Sequence, residues 1–156
     1  MVDRDRSDAA GGHRAQPAAR RPRGGQPVPA APARLGLRAA LDWRYTAGSP
    51  ERPGPADVWT RVRVPLVADQ ELTGLDRTLI AADAANGISA ELPLASWLSI
   101  PPGMTTHLTR EPDGEWVHLS CRTSIAADGI GLCLGTLSDA RGEIGQVSQP
   151  LLVQER

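Results

Sequence analysis

The 156-residue sequence predicts an α+β fold, with one helix packed on one side of a strongly curved antiparallel sheet. Three observations carry this expectation. Two strand-like alternating stretches come first, within residues 41–67. One amphipathic helical stretch follows at residues 75–89. Alternating stretches joined by tight turns then fill residues 104–154. A single helix cannot cover two sheet faces, so the sheet has to curl around it from one side.

Residues 1–36 show neither helical nor strand periodicity and are rich in Pro, Gly, Ala and Arg. Such a segment cannot bury enough apolar surface to offset its ordering entropy, so a disordered tail is expected over 1–36 and one folded domain over 37–156. From Leu41 the pattern changes. "LDWRYTAG" alternates, and so does "VWTRVRVPLV", where Val58, Thr60, Val62 and Val64 share one face with Trp59, Arg61 and Arg63 opposite. The intervening "SPERPGPAD" reads as a Pro/Gly loop.

The stretch "LDRTLIAADAANGIS" reads as a helix with recognisable ends. Thr73 and Asp76 have the spacing of a capping box, in which each side chain satisfies a free backbone N–H. Asn86-Gly87 is the expected stop, because glycine tolerates the left-handed conformation that ends helices. Leu75, Leu79, Ala82 and Asp83 fall on one side at three- and four-residue spacing. Asp76 is explained as a cap; Asp83 is not. A carboxylate in the last turn faces the negative end of the helix dipole, which costs about 0.3–1 kcal/mol at exposed sites. Either Asp83 points along the edge of the stripe into solvent, or it is a base or water-orienting acid at the mouth of a pocket.

Beyond the helix, "ELPLASWLSIPPG" is mixed and apolar and closes on a Pro-Pro-Gly breaker. The strand candidates "MTTHLTR", "EWVHLSCRTSIAA", "GIGLCLGTLSDA" and "EIGQVSQPLLVQ" follow, with "EPDG", "ADG" and "ARG" as connectors of hairpin length.

Charge is unevenly placed. Residues 1–40 carry eight Arg and three Asp, a balance of +5, whereas the remainder carries nine Arg and fifteen acids, a balance of −6. The chain has no Lys and no Phe. Arg is therefore its default base, which weakens any reading of the tail as a nucleic-acid arm, and no nucleic-acid partner is expected. No stretch approaches the roughly 20 apolar residues of a membrane helix, nor does the start carry the apolar core of a signal peptide. Cys121 and Cys133 lack metal-ligand or CxxC spacing and read as small buried hydrophobes in a reducing, cytoplasmic setting. His107 and His118 lie on separate strand candidates with no third ligand, so no metal site is expected. The four Trp residues read as core or interface anchors.

Strand, strand, helix and a run of hairpins is the order of the hotdog architecture. The run "PGPADVWTRVRVPLV…GLDRTLIAADAANGIS…HLTREPDGEWVHLSCRT…GIGLCLGTLSDARGEIGQVSQPLLV" closely resembles the C-terminal hotdog of the acyl-CoA thioesterase II-like family, over roughly residues 41–154. Its most specific pieces are "AADAANG", R-x-P-x-GEW and D-A-x-G-x-x-G-x-x-x-Q. The resemblance implies hydrolysis of an acyl-CoA thioester, in fatty acid metabolism, without a cofactor. It implies an Asp at the end of the hotdog helix, a hydroxyl from the following strand region and a Gln from the last strand, together positioning a water. Asp83 matches the Asp and Gln149 the Gln, with a one-residue offset from some members. The hydroxyl position falls on Pro101; Ser99, Thr105 and Thr106 are the nearest hydroxyls, with Ser99 and Thr105 taken as candidates. A carboxylate with a raised pKa suits the role of base, and an amide can orient the water or donate to an oxyanion. Arg110 could meet coenzyme A phosphates, or be a solvated strand end.

Full members of that family carry two hotdogs in one chain, and residues 1–36 leave no room for the first, so a fragment, a misassigned start and a single-hotdog protein all stay open, each leaving this hotdog without its neighbour. A lone hotdog leaves one sheet edge and the open face near the helix unpaired, so a homo-oligomer is expected. A non-catalytic hotdog that binds acyl-CoA or serves assembly is the alternative reading. An enoyl-CoA hydratase would want a His near the Asp, and none occurs between Leu72 and Ile100.

Overall fold

The computed structural model describes residues 26–27 and 36–156. Its elements are β1 (Gln26–Pro27), α1 (Leu37–Ala40), β2 (Leu41–Ser49), β3 (Arg52–Val62), α2 (Gly74–Asp83), α3 (Ala85–Ile88), β4 (Trp97–Ile100), β5 (Thr105–Leu108), β6 (Trp116–Ile125), β7 (Ile130–Asp139) and β8 (Gly142–Glu155). The strands form one antiparallel sheet in the order β1-β2-β3-β6-β7-β8-β4, with β5 also paired to β8. This is the curled α+β hotdog sheet expected from the sequence. Of the stretch read as a tail, Gln26–Pro27 pairs with Arg44 and Tyr45 of β2; residues 1–25 and 28–35 lie outside the described residues.

The helical segment lies against the concave face. Ala81, Ala82, Ala84, Ala85 and Ile88 form one buried cluster with Val58, Val117, Leu119, Cys121, Cys133, Leu137, Val147 and Leu151 from the inward positions of the strands. Small helix residues let the sheet close tightly around the axis. The capping box is present: Thr73 Oγ1 accepts from the Asp76 N–H at 3.1 Å, and Asp76 Oδ2 accepts from the Thr73 N–H at 2.8 Å.

Three features differ from expectation. The buried side of α2 is Thr78, Ala81 and Ala82, whereas Leu75 and Leu79 are 43% and 38% exposed. Leu75, Leu79 and Asp83, at i, i+4 and i+8, thus form a second stripe that faces outward. The helix does not stop at Asn86-Gly87: it breaks at Ala84, and α3 carries both residues within it. Finally, β3 begins at Arg52 and absorbs most of the stretch read as a Pro/Gly loop. Pro53 and Pro55 are tolerated because β6 pairs with β3 only from Ala56 to Arg61, while β2 is irregular between Tyr45 and Ser49.

On the convex face Trp59 is 1% exposed, with its ring centroid 5.1 Å from that of His118. Arg44 and Arg61 stack on Trp116 with centroid distances of 4.7 and 5.0 Å. Trp43 donates to the Arg38 carbonyl.

Candidate functional site

The break in the helix has an identifiable cause. In an uninterrupted helix the Asn86 N–H would bond the Ala82 carbonyl. Here Gln149, an inward residue of β8 that is fully buried, inserts its amide into that gap. Gln149 Oε1 accepts from the Asn86 N–H at 2.9 Å, while Nε2 donates to the Asp83 carbonyl at 3.2 Å and reaches the Ala82 carbonyl at 3.5 Å. A side chain interposed in the backbone ladder is one of the few reasons a helix bends sharply. Asp83 is the last residue of α2 because Gln149 ends α2 there.

A second clasp adjoins the first. The Asn86 Nδ2 donates to the Ser99 carbonyl at 2.9 Å, and Ser99 Oγ donates to Asn86 Oδ1 at 3.2 Å. Ser99 belongs to β4 and pairs with Val153 of β8, so the break is tied to two adjacent strands. The Asp83 carboxylate itself is exposed. Among the described residues it makes no side-chain hydrogen bond or ion pair.

The structure thus brings Asp83, Gln149 and Ser99 to one place, with Asn86 as a link that sequence reasoning did not single out. By sequence Asn86 is a stop signal, and the inserted amide gives it another role. Thr105 is elsewhere: it pairs with Ser148 and shares that residue's outward face. Its neighbour Thr106 pairs with the buried Val147 and faces inward, and its Oγ1 is buried without a partner among the described residues.

Arg110 also has another role. It forms a two-pronged ion pair with Asp139, at 2.6 and 2.7 Å, and donates to the carbonyls of Glu111, Gly142 and Glu143. Asp139 is fully buried and accepts further N–H bonds from Asp113 and Arg141. Desolvation pushes the Asp139 carboxyl up, but Arg110 and the two backbone donors outweigh it and hold it below the usual range. This arrangement corrects the reading of Arg110 as a phosphate ligand, because a guanidinium with all these partners has no free fork to offer. The motif residues Arg110, Asp139 and Gly142 form a strut between the end of β5 and the β7–β8 turn. The loop that Asp139 holds through the Asp113 N–H packs closely on the start of α2, where a Cβ on Gly74 would run into the Pro112 carbonyl.

Beyond α3 lies a cavity of about 700 Å³, lined by apolar side chains including Leu92, Trp97, Ile125 and Val153, with Glu91 and Thr123 at its polar side. Its size falls within the usual range for small-molecule pockets. Val153 joins it to the Ser99 clasp. The histidines are remote: His107 is exposed and outward with Gln146, and His118 lies against Trp59, where burial lowers its pKa despite the nearby Asp57. Among the described residues no group of three potential metal ligands occurs, and no helix is long and apolar enough to cross a membrane.

A family model described as the acyl-CoA thioesterase C-terminal domain matches residues 13–153. Among solved structures, an acyl-CoA thioesterase II (TesB2) from Mycobacterium marinum aligns with TM-score 0.56 and 22% identity, over 89% of this chain and 60% of that one. A thioesterase family protein from Silicibacter pomeroyi aligns with TM-score 0.54 and 13% identity, over 73% of this chain and 85% of that one. A thioesterase from Haemophilus influenzae aligns with TM-score 0.52 and 10% identity, over 72% and 78% respectively. At these identities the likeness speaks for the fold alone. A comparison with curated protein sequences found no match.

Proposed function

Because the chain belongs to the acyl-CoA thioesterase C-terminal domain family, we propose that it hydrolyses the thioester of an acyl-CoA, with the Asp83 carboxylate as general base. One observation carries this assignment of the base. Asp83 is an exposed carboxylate at a helix C-terminus, on a break that two buried side chains hold in place. A helix end is electrostatically poor for an acid, yet the surrounding bonds fix the backbone there. Such a carboxylate can accept a proton from water as the water attacks the carbonyl carbon. Tetrahedral collapse then expels the coenzyme A thiolate, which takes up a proton.

Gln149 contributes through the backbone in this reading. Its amide holds the Asp83 carbonyl and so the position of the base, rather than the water directly. Ser99 acts likewise through Asn86. Thr106, inward beside Val147 and with its Oγ1 unpartnered among the described residues, is a further candidate for the hydroxyl. The apolar cavity beyond α3 offers a volume for the acyl chain. The outward Leu75–Leu79 stripe beside Asp83 calls for a covering partner, and a second copy in a homo-oligomer would supply one. A reducing, cytoplasmic location fits two buried free thiols.

The non-catalytic reading is favoured by one specific observation, namely that the amide of Gln149 and the hydroxyl of Ser99 are both occupied by protein partners. Release of free thiol from a panel of acyl-CoAs, measured on wild type and on Asp83→Asn, separates the two. Hydrolysis that falls about 10²–10⁴-fold in Asp83→Asn supports the base. Binding of acyl-CoA without thiol release by the wild type would instead select the non-catalytic reading.

A further inference from the structure

The polar side of the cavity beyond α3 carries a chain of hydrogen bonds whose protons can be counted. Ser89, the residue that closes α3, is fully buried and donates its one hydroxyl proton to the Ala85 carbonyl at 2.9 Å. This is the usual back-bond of a helical serine to the carbonyl four residues earlier. With that proton committed, the 2.9 Å contact between Ser89 Oγ and Thr123 Oγ1 has Thr123 as its donor. The Cys133 thiol, 3.5 Å away, meets the other lone pair of Ser89. Thr123 has thus given up its own proton, and its oxygen accepts nothing among the described residues. Thr123 is an inward residue of β6, 6% exposed, and it lines the cavity. A buried acceptor without a donor is unfavourable, and a ligand that brings an O–H relieves it. The charged residue of the same lining, Glu91, is also an acceptor.

We propose that Thr123 selects the acyl tail: the cavity takes an acyl group with a hydroxyl far from the thioester, and Thr123 Oγ1 accepts that hydroxyl's proton. This deepens the hydrolytic reading and rests on its assignment of the cavity to the acyl chain. The helix sets where the hydroxyl falls. Ser89 lies six residues beyond Asp83, roughly 9 Å along a helix axis, about the span of an extended octyl chain. A hydroxyl on the third carbon would fall short of Thr123. The apolar walls at Leu92, Trp97, Ile125 and Val153 suit the methylenes in between. Glu91 repels a tail that ends in a carboxylate, because like charges are costly to bring together. The substrate class is therefore hydroxyacyl rather than dicarboxylic. A site built to hydrogen-bond a substrate hydroxyl discriminates against the analogue that lacks it.

Thioether analogues of coenzyme A, which cannot be hydrolysed, test the proposal apart from catalysis. The full chain is titrated calorimetrically with S-octyl coenzyme A, with its ω-hydroxyoctyl analogue and with the analogue hydroxylated on the third carbon. The ω-hydroxyoctyl compound should bind about 3–10-fold more tightly than the octyl one, the increment of one net hydrogen bond. The third-carbon hydroxyl should bring no gain. Thr123→Val, which keeps the side-chain shape, should bring the ω-hydroxyoctyl and octyl affinities within twofold of each other and leave the octyl Kd unchanged. Thr123→Ala replaces it if valine is not accepted by the fold, and Thr123→Ser should keep the preference. Equal affinities in the wild type, an undiminished preference in Thr123→Val or Thr123→Ala, or no binding of either analogue would overturn the proposal. Thiol release from the matching thioesters is scored separately. Preference without hydrolysis would remove the hydrolytic reading and leave tail selection standing, whereas hydrolysis without preference would do the reverse.

Discussion

Replacing Gln149 with alanine separates an amide that holds the helix break from one that waits for a substrate water. Three consequences can be estimated. The Asn86 N–H loses its acceptor inside the fold, and a buried unsatisfied donor costs about 1–3 kcal/mol. The Asp83 carbonyl also loses a donor, but water reaches this exposed residue and can replace it. The 3.5 Å approach to the Ala82 carbonyl is too long to count for much. Removing the side chain beyond Cβ also leaves a void of roughly 50 Å³, worth about 1 kcal/mol. The total is about 2–4 kcal/mol, which for a domain of this size lowers the melting temperature by roughly 6–16 °C. Differential scanning calorimetry measures this directly, alongside kcat and KM for thiol release. A variant that melts within 2 °C of wild type while kcat collapses would refute the reasoning, because the amide would then be serving the reaction and not the helix. Gln149→Glu at neutral pH sharpens the test, since a buried carboxylate facing the Asp83 carbonyl should destabilise at least as much as alanine.

Asp83→Asn should leave the melting temperature unchanged or slightly raised, because a neutral isostere relieves the unfavourable dipole interaction; a clear drop would make Asp83 a structural residue. Arg110→Ala should destabilise by about 3 kcal/mol by leaving the buried Asp139 carboxylate without its counter-ion, the lower part of the usual range because Arg110 is itself 27% exposed; urea unfolding checks it. Asp139 has a folded-state pKa below its unfolded one, so its stabilisation is present above about pH 4 and is lost as pH falls through the folded value. Acid unfolding of Asp139→Asn should therefore show a shallower pH dependence than wild type, and parallel curves would contradict the strut. Burial raises the Cys121 thiol pKa, and Cys133 is fully enclosed, so neither should react with an aromatic disulfide reagent until the protein unfolds, when two thiols should appear.

What could be read from the sequence was what local rules govern. Thr73 and Asp76 lie three residues apart, so their reciprocal bonds follow from spacing alone, and the alternation of residues 116–155 fixes which strand positions face the helix. The outward turn of Leu75 and Leu79 was missed because the alanines and Thr78 compete for the same buried side. A helix wheel ranks leucine above alanine, whereas a tightly curled sheet accepts only the smaller residues. Gln149 could be matched to a family position, but its insertion between Ala82 and Asn86 depends on a contact 63 residues apart. Arg110 and Asp139 are likewise 29 residues apart, and only the β-sheet register makes them partners. The strand through Pro53 and Pro55 was hidden for a related reason, since whether a proline is tolerated depends on how far the neighbouring strand reaches.

The pairing of β3 with β6 has a kinetic consequence. Ala56 to Arg61 meet Cys121 to Trp116 across the whole intervening helical region, so the chain must close a loop of roughly 60 residues before the two halves of the sheet share a single hydrogen bond. Loop closure of that length is paid in entropy before any packing rewards it, and topologies dominated by such distant pairings fold on the scale of milliseconds to seconds. The hairpins β6–β7 and β7–β8, which need only tight turns, can form much sooner. The ascent to the native state should therefore begin in the C-terminal meander, with β2 and β3 docking onto its edge last. In pulse-labelling by hydrogen exchange, amides of β7 would gain protection ahead of those of β2.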